Sequence, residues 1–322
     1  MIKFRFKNEP SGSSEEEPVV PSGQHMVSLT DYPQTHLLYH VHKNTAGYRN
    51  ARPHNVIHAS DLDPSRKWCP REPAILTRHN LKREKGFLST AQQAVYNFGH
   101  AGADILIEML PEGMVWGNWK CNACGHEHRH QYRPKKCYEC GAKRRALRYN
   151  EVFMRDPELG IVGSCDLMVD LLGNGVKTLV EIKTEGNESF KRRNAAELEH
   201  EWRTKLYLYL ADRTEWLEGK GINVEEARVV YLTKEGHVPC DKIKDWKLAD
   251  WGRTFMKEYR TKRDDSFSEK AREAVLAYRT WRSAFEKGGN PKYPDRICFS
   301  PHDTRAKNCE VCDLCFKHNP TA

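Results

Sequence analysis

The chain has 322 residues, enough for one large domain or two ordinary ones with a full core. It is 39% hydrophobic and 30% charged, its mean hydropathy is -0.78, and no apolar run reaches the roughly 20 residues of a membrane-spanning helix, so a helical membrane protein is excluded. The formal net charge of +8 suits a polyanionic partner without specifying one.

Residues 1–25 are rich in Pro, Ser, Gly and Glu and are expected to form a flexible tail, with Met1–Phe6 as a short strand. The opening MIKFRFKNEP has no apolar leader, so a cytoplasmic protein is expected. Residues 26–115 form an N-terminal, mainly helical part in which His36, His40, His42, His54 and His58 read as solvated. Ser60 is placed to cap a short helix around Cys69. Residues 90–110 predict a helix capped by Thr90, with Val95, Phe98, Ile105, Leu106 and Met109 recurring near the helical period. A basic insert with paired cysteines occupies 116–148. The core, 149–242, has apolar runs at Ile161–Val162, Leu167–Val169 and Thr178–Ile182, which predict consecutive strands with a turn at Gly173–Gly175. A long helix over 188–218 and a strand over 226–236 follow. Residues 243–322 predict helices over 243–287, interrupted near Asp264–Ser268, and then a cysteine-rich tail. The order of helices and strands makes this an α/β protein.

Glu181, Ile182 and Lys183 end the strand TLVEIK. Alternate residues of a strand share a face, so Glu181 and Lys183 point together, while Ile182 enters the core and leaves its carbonyl at the same edge. Asp166, on a neighbouring strand, can set a second carboxylate beside Glu181. Such an oxygen site suits Mg²⁺ or Mn²⁺, and Lys183 can hold a water or a phosphate oxygen. That combination serves metal-assisted phosphodiester hydrolysis. A second E-x-K, at Glu218–Lys220, lies in a helix-ending turn and has no such setting.

The segment GIVGSCDLMVD…TLVEIKTE resembles the PD-(D/E)xK nuclease superfamily, in particular its RecB/AddB-like branch, which includes CRISPR-associated RecB-type exonucleases. Gly163 and Asp166 match its glycine and aspartate, Glu181–Lys183 its ExK, and Gly99-His100 its helix-borne histidine, while Cys165 stands where the family name has proline. The resemblance implies a restriction-endonuclease-like core, a central mixed sheet flanked by helices. It implies a metal-dependent DNA nuclease, exonucleolytic, acting in recombination, repair or phage DNA metabolism in a prokaryotic or phage-infected cell. His100, Asp166, Glu181 and the Ile182 carbonyl would hold the metal, with Lys183 completing the catalytic set. Glu151 resembles a glutamate of the first core strand. Lys205 and Tyr209 stand where the branch has Q-x-x-x-Y, as contacts to DNA. The expected partners are single-stranded DNA or duplex ends, with recombination or replication proteins as candidates.

The eleven cysteines are odd in number and clustered, which favours ligation over disulfides. Cys121-x2-Cys124 and Cys137-x2-Cys140 form two knuckles suited to tetrahedral Zn²⁺, with a rubredoxin-like iron site as the alternative. Between Trp116 and Arg148 nine Lys/Arg face two Glu, a net of +7. Arg144 and Arg145, with Trp116, Trp119 and Tyr132 available for stacking, make the insert a candidate DNA contact. Cys69, Cys298, Cys309, Cys312 and Cys315 exceed one four-coordinate site. The family resemblance implies a 4Fe–4S cluster on Cys69, Cys298, Cys309 and Cys315, with Cys312 as the alternate. A zinc knuckle confined to the tail is the other reading. Two further function classes stay open: a catalytically inactive nucleic-acid-binding module on the same fold, and an iron–sulfur redox protein.

Overall fold

Glycine and asparagine interrupt the β-branched runs of this chain, and those runs become the strands of a mixed sheet. The computed structural model describes residues 47–48, 56–62, 68–81, 87–88, 90–111, 113–130, 132–233, 255–307 and 309–317, with backbone alone for 47, 48, 87, 88, 90–96 and 98. All of them belong to the unit Thr45–Ala322. The expected tail, the strand at Met1–Phe6, the side chains of Thr90, Val95 and Phe98, and the helix over 243–254 lie outside the described residues.

In chain order the elements begin with β1 (Gly47–Tyr48), β2 (Ile57–His58), α1 (Arg71–Arg78), β3 (Phe87–Leu88) and α2 (Thr90–Met109). Next come β4 (Val115–Cys121), β5 (Glu127–His130), β6 (Leu147–Asn150), β7 (Val152–Asp156), β8 (Ile161–Cys165), β9 (Leu167–Val169) and β10 (Val176–Glu185). Three helices, α3 (Asn187–Arg192), α4 (Leu198–Ala211) and α5 (Glu215–Glu218), lead to β11 (Asn223–Thr233) and β12 (Met256–Lys262). The described chain ends with α6 (Phe267–Glu286), α7 (Thr304–Lys307) and α8 (Cys312–Lys317).

The main sheet runs β12-β11-β10-β9-β4-β5, with β6 also on β4. β10 and β11 are parallel and the other pairs antiparallel, so the expected mixed sheet flanked by helices is present. A second sheet joins β2, β8 and β7. Alternation along β10 sorts its two faces. Leu179 packs with Leu206, Leu210, Phe267 and Val275 of α4 and α6. Val180 and Ile182 pack with Leu106 and Ile107 of α2. Gly173 and Gly175, at φ 64 and 87, make the turn into β10.

Four local expectations change. The long helix over 188–218 is three short ones. Arg193 turns out of helical conformation to clamp Glu185 with two hydrogen bonds of 2.8 and 2.7 Å, and its carbonyl accepts from Tyr259 and Lys257. Thr214 makes the second break, its hydroxyl donating to the Leu210 carbonyl at 2.7 Å. Met256–Lys262, expected as helix, is an edge strand on β11; its Lys, Glu and Arg suit an exposed edge. Ser60 stands inside a 3-10 turn, Ala59–Asp61, and not at the start of the helix near Cys69; Asp61 accepts the His58 N–H at 3.1 Å there. On α2, Ile105 and Met109 are 61% and 68% exposed, and the buried contact comes from Ile107 with Ala103, Leu106 and Leu110.

Candidate active site and cysteine centres

β8 and β9 are one extended run broken at Asp166, and β10 follows beside them. Asp166 Oδ2 accepts the Ile182 N–H at 2.6 Å, which ties the break to the middle of β10. Cys165, in the position before Asp166, is buried, and its thiol donates to the carbonyls of Leu167 and Val180 at 3.3 and 3.1 Å. Gly163 is required by close approach. A Cβ there would meet the Tyr207 ring at 2.9 Å, Leu210 at 3.1 Å and Ala59 at 3.2 Å. Its absence lets α4 lie down on β8.

Glu181 is 3% exposed. Its Oε1 accepts from Lys183 Nζ and from Arg203 Nη1, the latter at 2.9 Å, while its Oε2 is buried with no hydrogen-bond partner. Burial pushes the Glu181 carboxyl up, but the Lys183 and Arg203 cations outweigh it and hold the group below the usual carboxylate range. Asp166 behaves oppositely: burial first, then the Glu181 charge, raise it to about 8, against the pull of Lys183 and the Ile182 N–H. Glu151 is raised too, by burial and by Glu181, while His100, Lys183 and a bond to the Ser164 hydroxyl draw it down. Three carboxyls therefore crowd one site whose nearest cations already share a single oxygen.

Asp166, Glu181 and Lys183 thus come together. His100 stands differently. It is exposed on α2, which covers the opposite face of β10, with Gly99 and Gly102 lying against Thr184. Its charge is felt by Glu151, the residue between β6 and β7. Among the described residues, ligand atoms of His100, Asp166 and Glu181 do not fall within 4.8 Å of one another; two other groups do, Cys121–Cys124–Cys137–Cys140 and Glu197–Glu199–His200. In the second, His200 Nδ1 is engaged by the Tyr231 hydroxyl at 2.8 Å.

Lys205 and Tyr209 face elsewhere. Lys205 pairs with Glu201 at 2.9 Å, and the Tyr209 hydroxyl donates to the buried Asp156 at 2.5 Å. Two residues along a helix is a rotation of about 200°, and the pair on the acidic side is Arg203 with Tyr207. Arg203 is the site residue that sequence reading missed. The α4 segment Leu206–Ala211 is buried all round, so no apolar stripe marks the face that meets β10.

The four insert cysteines form a ready-made centre. Cys121 and Cys140 Sγ are 3.7 Å apart and Cys124 and Cys137 3.6 Å, spacings that fit the edges of a tetrahedron with metal–sulfur bonds of about 2.3 Å. Against a favourable His126 backbone N–H, burial and the adjoining thiols push Cys124 up to about 12; four thiols this close cannot all ionise without a cation. The centre is continuous with the main sheet, because β4 pairs with β9 at Val115 and Trp116 and with β5 and β6 from Gly117 to Cys121. Tyr149 locks the junction, its ring over Gly117 and its hydroxyl between the Trp116 carbonyl and the Met168 N–H. Trp116 and Trp119, offered above as stacking surfaces, are buried at 7% and 4%. Arg144 and Arg145 are exposed on a 3-10 turn.

Cys69, Cys298, Cys309, Cys312 and Cys315 line one cavity with Glu72, Arg296 and Arg305. α1 begins just after Cys69 and packs on α8 through Ile75, Leu76, Val311 and Cys315, and Arg305 pairs with Glu72. Burial, then Glu72, pushes the Cys309 thiol up to about 12, and burial with Cys69 raises Cys298 and Cys315.

No protein-family model and no curated protein matches this chain. Among solved structures it is similar to an alkaline exonuclease, LHK-Exo, from Laribacter hongkongensis, at 12% identity and a TM-score of 0.40, over 77% of this chain and 95% of that one. It is also similar to a phage-related exonuclease from Haemophilus somnus 129PT, at 14% identity and a TM-score of 0.38, over 72% of this chain and 96% of that one.

Proposed function

We propose that the acidic cluster where the β8–β9 break, β10 and α4 meet is the active site of a metal-dependent DNA nuclease of the PD-(D/E)xK, RecB-like kind. The observation that carries this reading is the unpartnered, buried Glu181 Oε2 beside an Asp166 carboxyl raised to about 8. Hard oxygen donors crowded in this way fit Mg²⁺ or Mn²⁺. Asp166, Glu181 and the Ile182 carbonyl would hold the ion, with His100 and Glu151 towards its open side. A bound ion would supply a Lewis acid for the phosphoryl oxygen and a water of lowered pKa. Lys183 lies against Glu181, where its ammonium can orient the attacking water or a phosphate oxygen. Arg203, bonded to Glu181 Oε1 from α4, adds a second positive charge beside the place the phosphate would take. Both cations bond the same Glu181 oxygen, so a phosphate drawn to the ion would lie within reach of each.

In this reading the substrate is DNA and the bond broken is a phosphodiester, with exonucleolytic action in recombination, repair or phage DNA metabolism. The insert quartet holds Zn²⁺. The Cys69 cavity holds a 4Fe–4S cluster on Cys69, Cys298, Cys309 and Cys315, tying α1 to the tail and closing a long loop around the core. Anaerobic purification tests both metals: a brown protein with four iron and one zinc per chain supports them, and a colourless protein with two zincs replaces the cluster by a zinc clasp. The nuclease reading is tested with a labelled single-stranded oligonucleotide in Mg²⁺ or Mn²⁺. Cleavage should fall by at least about 10³-fold in Glu181→Gln, which withdraws one charge from the ion. Equal activity in both proteins would end the reading; binding without cleavage in the parent would favour a non-catalytic module.

A further inference from the structure

The four-cysteine hairpin carries a contiguous row of rings that its metal centre does not account for. Alternation along β5 puts His128 and His130 on one face. His126 lies 4.6 Å from His128 by ring centroids; His128 and His130 both meet Tyr138 edge-on, at 5.0 and 5.6 Å; His130 lies near-parallel to Tyr132 at 6.1 Å. One end of the row is fixed: His128 is buried, with Nε2 3.3 Å from Cys137 Sγ. The other end is open, Tyr132 and Tyr138 being 51% and 59% exposed. Neither tyrosine belongs to the hairpin's interior, which is Cys121, Cys137 and Leu147 with Ala142 and Ala146, so filling a small core does not explain them.

Charge frames the same hairpin. Lys120, Lys135, Lys136, Lys143, Arg145 and Arg148 are exposed, and among the described residues no ion pair is recorded for any of them. Arg133 and Arg129 are used internally. Arg133 pairs with Glu108 at 2.8 Å, and Arg129 lies 4.6 Å over the Trp216 ring. Open aromatic faces on a hairpin that also carries exposed, unneutralised cations suit a ligand that presents flat bases and phosphates together. A duplex hides its base faces against one another; a single strand does not.

We infer that Tyr132 and Tyr138, with the cations around them, form a stacking platform for single-stranded DNA. Phosphates neutralise the lysines and arginines, and unpaired bases lie on the two tyrosine rings. Because β4 runs from this hairpin into the main sheet, where β9 begins one residue after Asp166, a strand held here is presented to the same sheet that bears the carboxylates. The inference rests on the nuclease reading for that consequence alone; the binding face stands independently.

The test uses the full chain carrying Glu181→Gln, so that DNA stays intact, and reads anisotropy of a labelled oligothymidine and of a blunt duplex across a salt series. Tyr132→Ala with Tyr138→Ala should weaken single-strand binding about 10-fold or more, since one lost base–ring stack accounts for that much. Duplex affinity should change less than about 3-fold, and the salt slope should stay the same. The Tyr→Phe pair should bind as the parent does. Lys143→Ala with Arg145→Ala should weaken both DNAs and flatten the salt slope. Zinc content and the circular dichroism spectrum confirm that each variant is folded. Parent-like single-strand binding by the double alanine variant, or equal loss on both DNAs, overturns the platform. Cleavage by the chain with its glutamate intact is scored separately. An active enzyme whose tyrosine variants bind normally disproves the platform alone, and an inactive chain whose tyrosine variants lose single-strand binding disproves the nuclease alone.

Discussion

In the four-cysteine hairpin every candidate ligand atom comes from one short stretch, Cys121 to Cys140, and all four atoms lie within 4.8 Å of one another. In the acidic cluster, Asp166, Glu181, Lys183 and Arg203 come from the β8–β9 break, from β10 and from α4, and one carboxylate oxygen is buried without a partner. Both regions hang on the same sheet. Local turns and hydrogen bonds within the hairpin set its geometry, such as Gly125 N–H to the Cys121 carbonyl at 2.7 Å and Gly141 N–H to the Cys137 carbonyl at 2.9 Å. Helix packing sets the acidic cluster. The two should therefore fail separately, and under different insults.

The largest separation is expected at Gly163. Alanine there forces the Tyr207 ring, Leu210 or Ala59 to move, an overpacking cost of about 1–3 kcal/mol. The same shift carries Arg203 away from Glu181, and displacements of an ångström in such sites cost about 10²-fold in rate. Gly163→Ala should lower Mn²⁺-dependent cleavage by about that factor, with zinc content and single-strand affinity unchanged. Loss of zinc in this variant would mean that the hairpin depends on α4 after all.

The converse insult is smaller in its reach. Cys137→Ser removes one thiolate and the partner of His128. Zinc should be lost and single-strand affinity should fall about 10-fold as the platform loosens. Hydrolysis of a small phosphodiester that cannot span the hairpin should stay within about 2-fold. If that hydrolysis drops as far as in Gly163→Ala, the shared strand β4 couples the two regions more tightly than their contacts indicate.

The same contrast explains what could be read from the sequence. Cys-x2-Cys twice, and E-x-K after an apolar strand, are short-range patterns whose spacing alone fixes the geometry, so the hairpin centre and the Glu181–Lys183 pair were legible. Asp166 was legible because a glycine-broken strand precedes it. Arg203 was not, because its partner Glu181 is 22 residues away and its helix is buried on nearly all sides. The strand β12 was misread as helix because Met, Lys, Glu and Arg favour helices, a weak preference that the β11 edge overrides. The roles of Trp116 and Trp119 were misjudged for a related reason. As aromatics in a basic insert they suggested a binding surface, but they fall where β4 enters the main sheet, and the sheet buries them. Tyr132 and Tyr138, beyond that strand, stay open.

The smallest effect expected is on stability, and its sign is set in the acidic cluster rather than in the hairpin. Without a divalent ion, folded Asp166 keeps its proton to about pH 8, whereas an unfolded aspartate loses it near 4. Between those values the folded chain binds the extra proton, so this group's contribution is full below pH about 4 and is lost as pH rises towards 8. Glu151, also raised, acts with the same sign. Glu181 acts oppositely, its contribution being lost only as pH falls below its unfolded value. His200 is held neutral by burial and by the Lys183 charge, so its contribution is lost as pH falls below about 6.5. With the four cysteines ligated, so that Cys121, drawn down to about 7, does not titrate, the raised acids dominate between pH 6.5 and 8. There the melting temperature of protein freed of Mg²⁺ and Mn²⁺ should decline, and Asp166→Asn should flatten the decline. Added Mn²⁺ should raise the melting temperature more at pH 8 than at pH 6.5, because the ion has less proton to displace. An unchanged slope in Asp166→Asn would place the responsible proton elsewhere, and would remove the crowding of acids as the reason this cluster calls for a cation.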